Sequence, residues 1–595
     1  MARKYASLDN LKFLLYDVHN IEELFDYEYF KEFTSATIDM MLDASIDFSN
    51  RELFPFLSEM DRRGVAFEDG RVTVHPQIYN VLRKLGESDW INATRSFESG
   101  GMQLPQMMHY ATEFIYTAAN NPAIGYAMLT AGASKLIYSF GNDELKMNYA
   151  TNMLAGKWQG TMAMTEPQAG SSLSYITTRA QHKSDGTYKI TGQKIFISGG
   201  DYEGIDNIVH LVLARIDGSP KGTKGISLFV VPKMRVERDG NLADNDVITA
   251  GIFEKMGQHG YVTTHLVMGE QDNCVGYLVG EENNGLAYMF QMMNAARIGV
   301  GLMGAAIASA AYYASLEYAQ ERPQGRHAGS KNRDEKQVTI IHHADVRRML
   351  FLQKAVVEGS LSLIMECAKY MDLSAAGKGE KYELLLDLLT PIVKTYPTEM
   401  GIVSVSNGLQ CLGGYGYCVD FPLEQLYRDI RIAAIYEGTT GIQSIDLLGR
   451  KMIMNDGRSA KLLAQAISTT IQESAAFERL KPDAKLLEEV VVSYKIVLKK
   501  LVSKAVSGRT ESFLADANLF MEFCGLMVIG WQWLKQGISA CKLLEKNAEN
   551  VLFYESKIRT LRYYFSYELP KTQGLITRLL DNEDITLKEE KEYLI

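Results

Sequence analysis

Only six of the 595 residues are cysteine, and no two form a CxxC pair. That argues against a disulfide scaffold and a thiolate zinc site. Cys274, Cys367, Cys411, Cys418, Cys524 and Cys541 read as ordinary buried thiols of a reducing compartment. No HExxH, P-loop or His/Cys ligand cluster occurs, so no metal is expected. A charged-then-apolar leader is also missing: residues 1–20 mix Lys, Arg, Asp and His with apolar positions. The most apolar late segment, Phe523 to Trp533, reads as too short to span a bilayer. These features point to a cytoplasmic protein without a membrane span. The net charge of −10 argues against a general affinity for nucleic acid or acidic membranes. Low-complexity segments and internal repeats are absent.

What is present is a long, ordinary globular chain. A hydrophobic fraction of 46% over 595 residues supports three or four packed units. Residues 1–159 carry apolar side chains at helical spacing, with breaks at Pro55 and at Asn120-Asn121-Pro122. Ala123 to Leu136, rich in Ala, Met, Leu and Gly, suits a buried core helix, although Met and Gly also line ligand cavities. From 160 to 283 the period changes to two. The runs Tyr188–Ser198, Ile208–Ile216, Gly225–Pro232 and Thr263–Met268 are separated by Gly, Asp and Asn, as in a small β-barrel or sandwich. Residues 284–455 are helical again, interrupted by the charged, glycine-containing loop Arg322–Lys336. Residues 456–595 form a C-terminal helical extension with a break at Lys481-Pro482-Asp483. The expected fold is mainly α with an inserted β domain.

Gly299-Val-Gly301-Leu-Met-Gly304 matches GxGxxG but lies inside an Ala- and Met-rich helical run, not between a strand and a helix. It reads as small residues allowing close helix packing. Two other stretches carry chemistry. One is Met162-Ala-Met164-Thr165-Glu166-Pro167-Gln-Ala-Gly170-Ser171-Ser172, where Gly170 permits close backbone approach and Thr165 and Ser171 supply hydroxyls. Taken alone it is equally a turn. The other is Ile435-Tyr436-Glu437-Gly438-Thr439, a carboxylate on a connection between helices. Thr440 and Gln443 have capping-box spacing for the helix that follows.

Taken together, the TEPxxGS turn, Lys194-Ile-Phe196-Ile-Ser198-Gly199-Gly200, the QxxGGxGY segment from Gln410 and the IYEGT loop resemble the acyl-CoA dehydrogenase family of flavoenzymes over roughly residues 30–455. Gly414 precedes Glu437 by twenty-three residues, as in members whose base lies on this loop. The long tail and Arg322-Pro-Gln324-Gly325-Arg326 resemble the branch that includes 3-methylmercaptopropionyl-CoA dehydrogenase. The resemblance implies an N-terminal helical domain, a middle β domain and a four-helix-bundle domain. It implies FAD-dependent α,β-dehydrogenation of an acyl-CoA to the trans-2-enoyl-CoA. Glu437 would be the base that takes the α-proton, flavin N5 would take the β-hydride, and an electron-transfer flavoprotein would receive the electrons. Met162, Met164 and Thr165 would lie beside the flavin ring, Gly170 and Ser171 at the diphosphate or substrate rim, and Phe196 and Ser198 would flank the ring. Thr439 would contact the cofactor just after the base. Arg322, Gln324, Gln410 and Gly414 would reach the FAD of a neighbouring subunit in a homodimer or dimer of dimers. Ser171, Arg297 and Gly438 would meet the substrate, though Arg297 reads equally as a paired structural arginine.

Some members of the family it resembles carry the base immediately before the arginine that Arg297 matches; here that residue is Ala296, so the resemblance implies Glu437 as the base. Ser172, Gly441 and Gln324-Gly325 depart from the residues the family often carries, which alters expected polar contacts but removes no catalytic group. Two other readings share the architecture: an acyl-CoA oxidase reoxidised by O2, and a DNA-binding homologue. The second needs a basic tail, and here Lys/Arg and Asp/Glu balance at about twenty each after residue 455. The tail is expected to pack on the core and extend a dimer interface.

Overall fold

Strands dominate residues 159–278, where side chains alternate with period two. The computed structural model describes residues 4–331, 334–546 and 549–587, without the side chains of Gln291 and Met292. Residues 332–333 of the expected charged loop and 588–595 of the expected extension lie outside the described residues. The chain divides into two units, Asp43–Pro105 with Ile115–Ala296, and Met1–Leu42 with Gln106–Phe114 and Arg297–Ile595.

The first unit holds the sheet. Its strands are β1 (Gln159–Ala163), β2 (Arg179–His182), β3 (Tyr188–Ser198), β4 (Ile208–Ile216), β5 (Ile226–Pro232), β6 (Val247–Ile252), β7 (Thr263–Met268) and β8 (Val275–Leu278). Strand β3 pairs with β8, β8 with β5, β5 with β4, β4 with β2, and β2 returns to β3. This ring closes a five-stranded barrel and resolves the choice between barrel and sandwich. Closure satisfies strand edges that would otherwise be exposed. Ile190, Val212, Ala214, Phe229, Val231, Leu266 and Met268 cluster in its core. Strand β1 runs parallel to β4, and β7 with β6 continues from β3.

Helix α1 (Gln106–Phe140) runs through the expected break as a kink, with Asn120 at φ −162°, ψ 84°. The Asn120 side chain donates to Leu53 O at 3.0 Å and accepts from Ala123 N at 3.2 Å. It thereby caps the segment that Pro122 begins. Ala123, Ile124, Tyr126 and Ala127 are buried, so this face is core.

The second unit is helical. Its elements include most of α2 (Gly285–Glu321), then α3 (Ala344–Ala375), α4 (Glu380–Leu412), α5 (Pro422–Ile430), α6 (Thr440–Asp446), α7 (Met454–Ser474), α8 (Lys481–Val506), α9 (Ala517–Glu545) and α10 (Val551–Tyr563). Four residues separate α3 from α4, which pack as an antiparallel pair. Within the C-terminal extension, α9 contacts α3, α4, α7, α8 and α10. Phe523–Trp533 is therefore not a short segment but the middle of a 29-residue helix. Flanking Phe520, Met521, Leu534 and Ile538 carry its apolar period onward. Two stretches, Gly285–Glu321 and Thr510–Glu545, are long and apolar enough to cross a membrane, and their most apolar windows are 89% and 67% buried inside the fold.

The GxGxxG segment is a packing seam. A Cβ on Gly301 would stand 1.9 Å from Val393 O, and one on Gly304 2.7 Å from Pro397 O, both on α4.

Candidate active site

Helix α4 ends at Gly413, whose φ of +60° turns the chain out of the helix. Helix α5 starts with Pro422 in its first turn. A 3-10 turn, Arg431–Ala434, leads to Glu437, whose φ is +53°, followed by Gly438 at +88°. Left-handed backbone at a glutamate is uncommon and persists only where neighbours hold it. Two side chains do so. Gln443 Nε2 donates to Glu437 O at 3.1 Å, and Lys394 Nζ donates to Gly438 O at 2.8 Å. The expected Thr440/Gln443 capping box does not form. The cap lies one residue earlier, where Thr439 Oγ1 accepts from Ile442 N at 3.3 Å. Thr440 instead donates to Glu399, because the turn at Gly438 aims its hydroxyl at α4.

Glu437 is half-buried as a residue, but its Oε2 is enclosed and has no hydrogen-bond partner. Burial raises its proton affinity above the ordinary carboxylate range, while Arg297 and then Lys394 oppose that rise. Arg297, 4% exposed, contacts Asp446 Oδ2 at 3.4 Å, and its Nε is also without a partner. Arg297 is thus both ion-paired and close enough to act on Glu437. Lys394 is fully buried, and burial lowers its pKa to about 8. One enclosed carboxylate facing two desolvated cations is a typical setting for proton transfer.

In the other unit, the Met162–Ser172 turn is built around Glu166, which is 1% exposed. Its carboxylate accepts from Lys194 Nζ at 2.8 Å, from the Thr177 and Thr178 backbones at 2.6 and 3.1 Å, and from both threonine hydroxyls at 2.9 and 2.6 Å. Lys194 also donates to Met164 O at 3.0 Å, and Ile195 N to Thr165 O at 2.9 Å. The turn is therefore bolted to β3. Two β3 residues, Ile195 and Phe196, oppose the single β7 residue His265 between the pairs Lys194–Leu266 and Ile197–Thr264. Such a bulge re-aims a side chain. Phe196 takes φ +58°, is 58% exposed and rests its ring on Phe253 at 4.4 Å. Met162, Met164, Thr165 and Ser198 are half-buried, and Gly170 and Ser171 are exposed.

A third group gathers beside the end of α4. The Arg322 guanidinium lies 5.8 Å from the centre of the Tyr415 ring. Arg322, Gln324, Gln410 and Gly414 are all exposed, and Tyr417 is 91% exposed. His343 Nε2 lies 2.6 Å from Gln324 O, which makes it scaffold for this corner.

Four family models match consecutive parts of the chain. They are the acyl-CoA dehydrogenase N-terminal domain over residues 35–157, the middle domain over 161–270, the C-terminal domain over 283–453, and an acetyl-CoA dehydrogenase C-terminal-like domain over 463–588. The 3-methylmercaptopropionyl-CoA dehydrogenase of Ruegeria pomeroyi is 36% identical over 548 residues, which is 91% of this chain and 92% of that one. The chain belongs to the acyl-CoA dehydrogenase family. Solved structures share its fold, two of them over nearly the whole chain. The Caenorhabditis elegans ACDH-11 complex with C11-CoA has a TM-score of 0.77 at 20% identity, covering 98% of this chain and 95% of that one. An acyl-CoA dehydrogenase from Bacillus anthracis complexed with FAD has a TM-score of 0.74 at 20% identity, covering 93% and 90%. The fourth family model falls on the C-terminal helices, so the extension is itself a family feature of this acyl-CoA dehydrogenase.

Sequence reasoning missed Lys394 and the Glu166–Lys194 pair. Lys394 is a lone cation in the apolar stretch Thr390-Pro-Ile-Val-Lys-Thr-Tyr-Pro397, a signal that was readable. Glu166 sits in the quoted turn, but its partners Thr177, Thr178 and Lys194 are 11 to 28 positions away.

Proposed function

We propose that this chain oxidises the Cα–Cβ bond of an acyl-CoA thioester to the trans-2-enoyl-CoA, with FAD as cofactor and an electron-transfer flavoprotein as electron acceptor. The observation that carries this reading is Glu437: an enclosed, unpartnered carboxylate oxygen held on a strained loop opposite two buried cations. The named activity of the Ruegeria relative, the C11-CoA of ACDH-11 and the FAD of the Bacillus enzyme support the same chemistry.

The residues present fit a flat, partly polar ring. Phe196 offers an exposed aromatic face, Met162 and Met164 offer polarisable surface, and Thr165 and Ser198 offer hydroxyls. Among the described residues, no heavy atom beyond the chain neighbours comes within 4 Å of a Cβ built on Gly170 or Gly414, so both leave room for close approach. When bound, FAD supplies the two-electron acceptor for the β-hydride. Glu437 Oε2 takes the α-proton, and its desolvation brings its basicity nearer to the task. No acceptor among the described residues takes the Glu437 N–H. That donor is available to the thioester oxygen as enolate charge develops. General base catalysis of this kind contributes about 10²–10⁴-fold. Arg322, Gln324, Gln410 and Gly414 belong in this reading to a neighbouring subunit's FAD site, so the working unit is a homodimer or dimer of dimers.

The test is bleaching of the flavin absorbance by a panel of acyl-CoAs, with Glu437→Gln beside the wild type. The variant is expected to retain FAD and lose reduction, and normal reduction in it would refute the assignment. Rapid peroxide production by the substrate-reduced enzyme in air would replace the electron-transfer flavoprotein with O2.

A further inference from the structure

Lys394 has no conventional reason to be where it is. It lies in the interior of α4 between Pro391 and Pro397, with no solvent exposure. A buried ammonium is costly unless it is paired and hydrogen-bonded. Yet its Nζ makes one hydrogen bond, to a neutral carbonyl, Gly438 O at 2.8 Å. Among the described residues no carboxylate lies within 4 Å of it. The other charges around the loop are committed elsewhere. Arg297 on α2 contacts Asp446 on α6, Asp446 is bound again by Arg450 at 2.6 Å, Asp387 on α4 takes Lys451, and Glu399 on α4 takes the Thr440 hydroxyl. Two carboxylates act on the Lys394 charge beyond ion-pair distance, Glu399 of the same helix first and Glu437 second.

We propose that Lys394 is a positioning residue for Glu437. Its ammonium ties down the Gly438 carbonyl, fixes the left-handed backbone of the base, and supplies, with Arg297, the positive charge that keeps the enclosed carboxylate ionised. The inference rests on Glu437 being the base. A neutral donor would satisfy Gly438 O equally well, so the charge is the part of Lys394 that structure alone does not require. The opposition of Arg297 and Lys394 to the burial-driven rise in Glu437 proton affinity is consistent with this.

The experiment is stopped-flow flavin reduction of the holoenzyme by butyryl-CoA, and by the fastest acyl-CoA of the panel if that differs, from about pH 5 to about pH 9. Lys394→Met is expected to raise the apparent pKa of reduction by about one unit or more. The rate would fall about tenfold on the acid side and recover at high pH. Flavin content and half-saturating acyl-CoA should stay within about twofold of wild type. Lys394→Arg, which keeps the charge, should keep the wild-type apparent pKa. A uniform loss at every pH with an unshifted pKa would reduce Lys394 to a structural tether and overturn the proposal. If Lys394→Met does not hold flavin, Lys394→Arg decides: an unshifted pKa supports the proposal and a raised one overturns it. Glu437→Gln in the same assay separates the two ideas, because persistent reduction there refutes the base assignment.

Discussion

Gly301 of α2 lies against the Val393 carbonyl of α4, which lacks the usual donor four positions on because that residue is Pro397. A proline in a helix interior removes the N–H that would bond the i−4 carbonyl. Here the freed oxygen stands where only a glycine fits: a Cβ would come within 1.9 Å of it. The contact sets the spacing of two helices that carry Arg297 and Lys394. Gly301→Ala should therefore destabilise the protein by about 1–3 kcal/mol, the usual cost of overpacking. It should also slow substrate-driven flavin reduction. Thermal unfolding and the reduction assay together check this, and an unchanged unfolding temperature would count against the seam.

The Glu166–Lys194 pair predicts a defect confined to the turn and its neighbours. Both side chains are fully buried. Burial raises the Glu166 pKa, but Lys194 and the threonine hydrogen bonds outweigh it and hold the carboxyl at about 2. Removing one partner strands a buried charge. Lys194→Met should cost about 3–5 kcal/mol. It should also weaken flavin retention, because Lys194 holds the Met164 carbonyl as well. The flavin-to-protein ratio after gel filtration measures this. Double replacement of Glu166 and Lys194 by apolar residues of similar size should recover part of the stability.

Much of this arrangement was legible in the sequence, and the reasons separate cleanly. The long helices and the strands announce themselves through periods of 3.6 and 2, which depend only on one face being buried. The position of Glu437 was legible because it stands on a short connection between α5, which Pro422 begins, and α6. The barrel's closure was not, since it depends on β2 pairing with both β3 and β4. Phe196 was assigned from its motif, but its left-handed backbone comes from a bulge against β7, about seventy residues away. The capping box failed for a local reason: the positive φ at Glu437 and Gly438 advances the helix start to a Thr439 cap. Lys394 required knowing that α4 packs against the loop that holds Glu437 and Gly438.

A buried histidine in the helical unit predicts the acid sensitivity of the fold. His19 is 1% exposed, with Nε2 3.0 Å from Ser362 Oγ and Nδ1 3.1 Å from Glu366 Oε2. The Ser362 hydroxyl donates to Gln532 Oε1 at 2.8 Å, tying α3 to α9. Burial, then Lys535, lower the His19 pKa to about 4, with Glu366 opposing. The unfolded chain takes up this proton near pH 6.5 and the folded chain only near pH 4, so stability is lost as the pH falls through that window. The full loss is about 3 kcal/mol. Urea unfolding at several pH values measures it. His19→Gln should flatten the slope between those limits, and an equally steep slope in the variant would assign the acid sensitivity to other groups.

The C-terminal extension covers α3, and Trp533 is the side chain that makes this contact specific. It is fully buried, and its Nε1 donates to Ala355 O at 3.1 Å. Gly359, one turn along α3, makes room for it: a Cβ there would stand 2.9 Å from Trp533 Nε1 and 2.8 Å from Ile529 Cγ2. Nearby, Lys557 of α10 pairs with Glu358 at 2.9 Å, so the same face carries a buried ion pair. An α3 stripped of α9 and α10 would expose apolar surface and lose the Lys557–Glu358 pair. Truncation after Asn455 should therefore give an insoluble or unfolded protein rather than a smaller working one. The milder Trp533→Ala should cost about 3–5 kcal/mol, as for other buried tryptophans. Trp533→Phe should cost less, because it loses the indole hydrogen bond and part of the ring but leaves most of the volume filled. Chemical unfolding of the three proteins tests this order. A soluble truncation that unfolds at the wild-type denaturant midpoint would show that α3 and α4 hold without the extension.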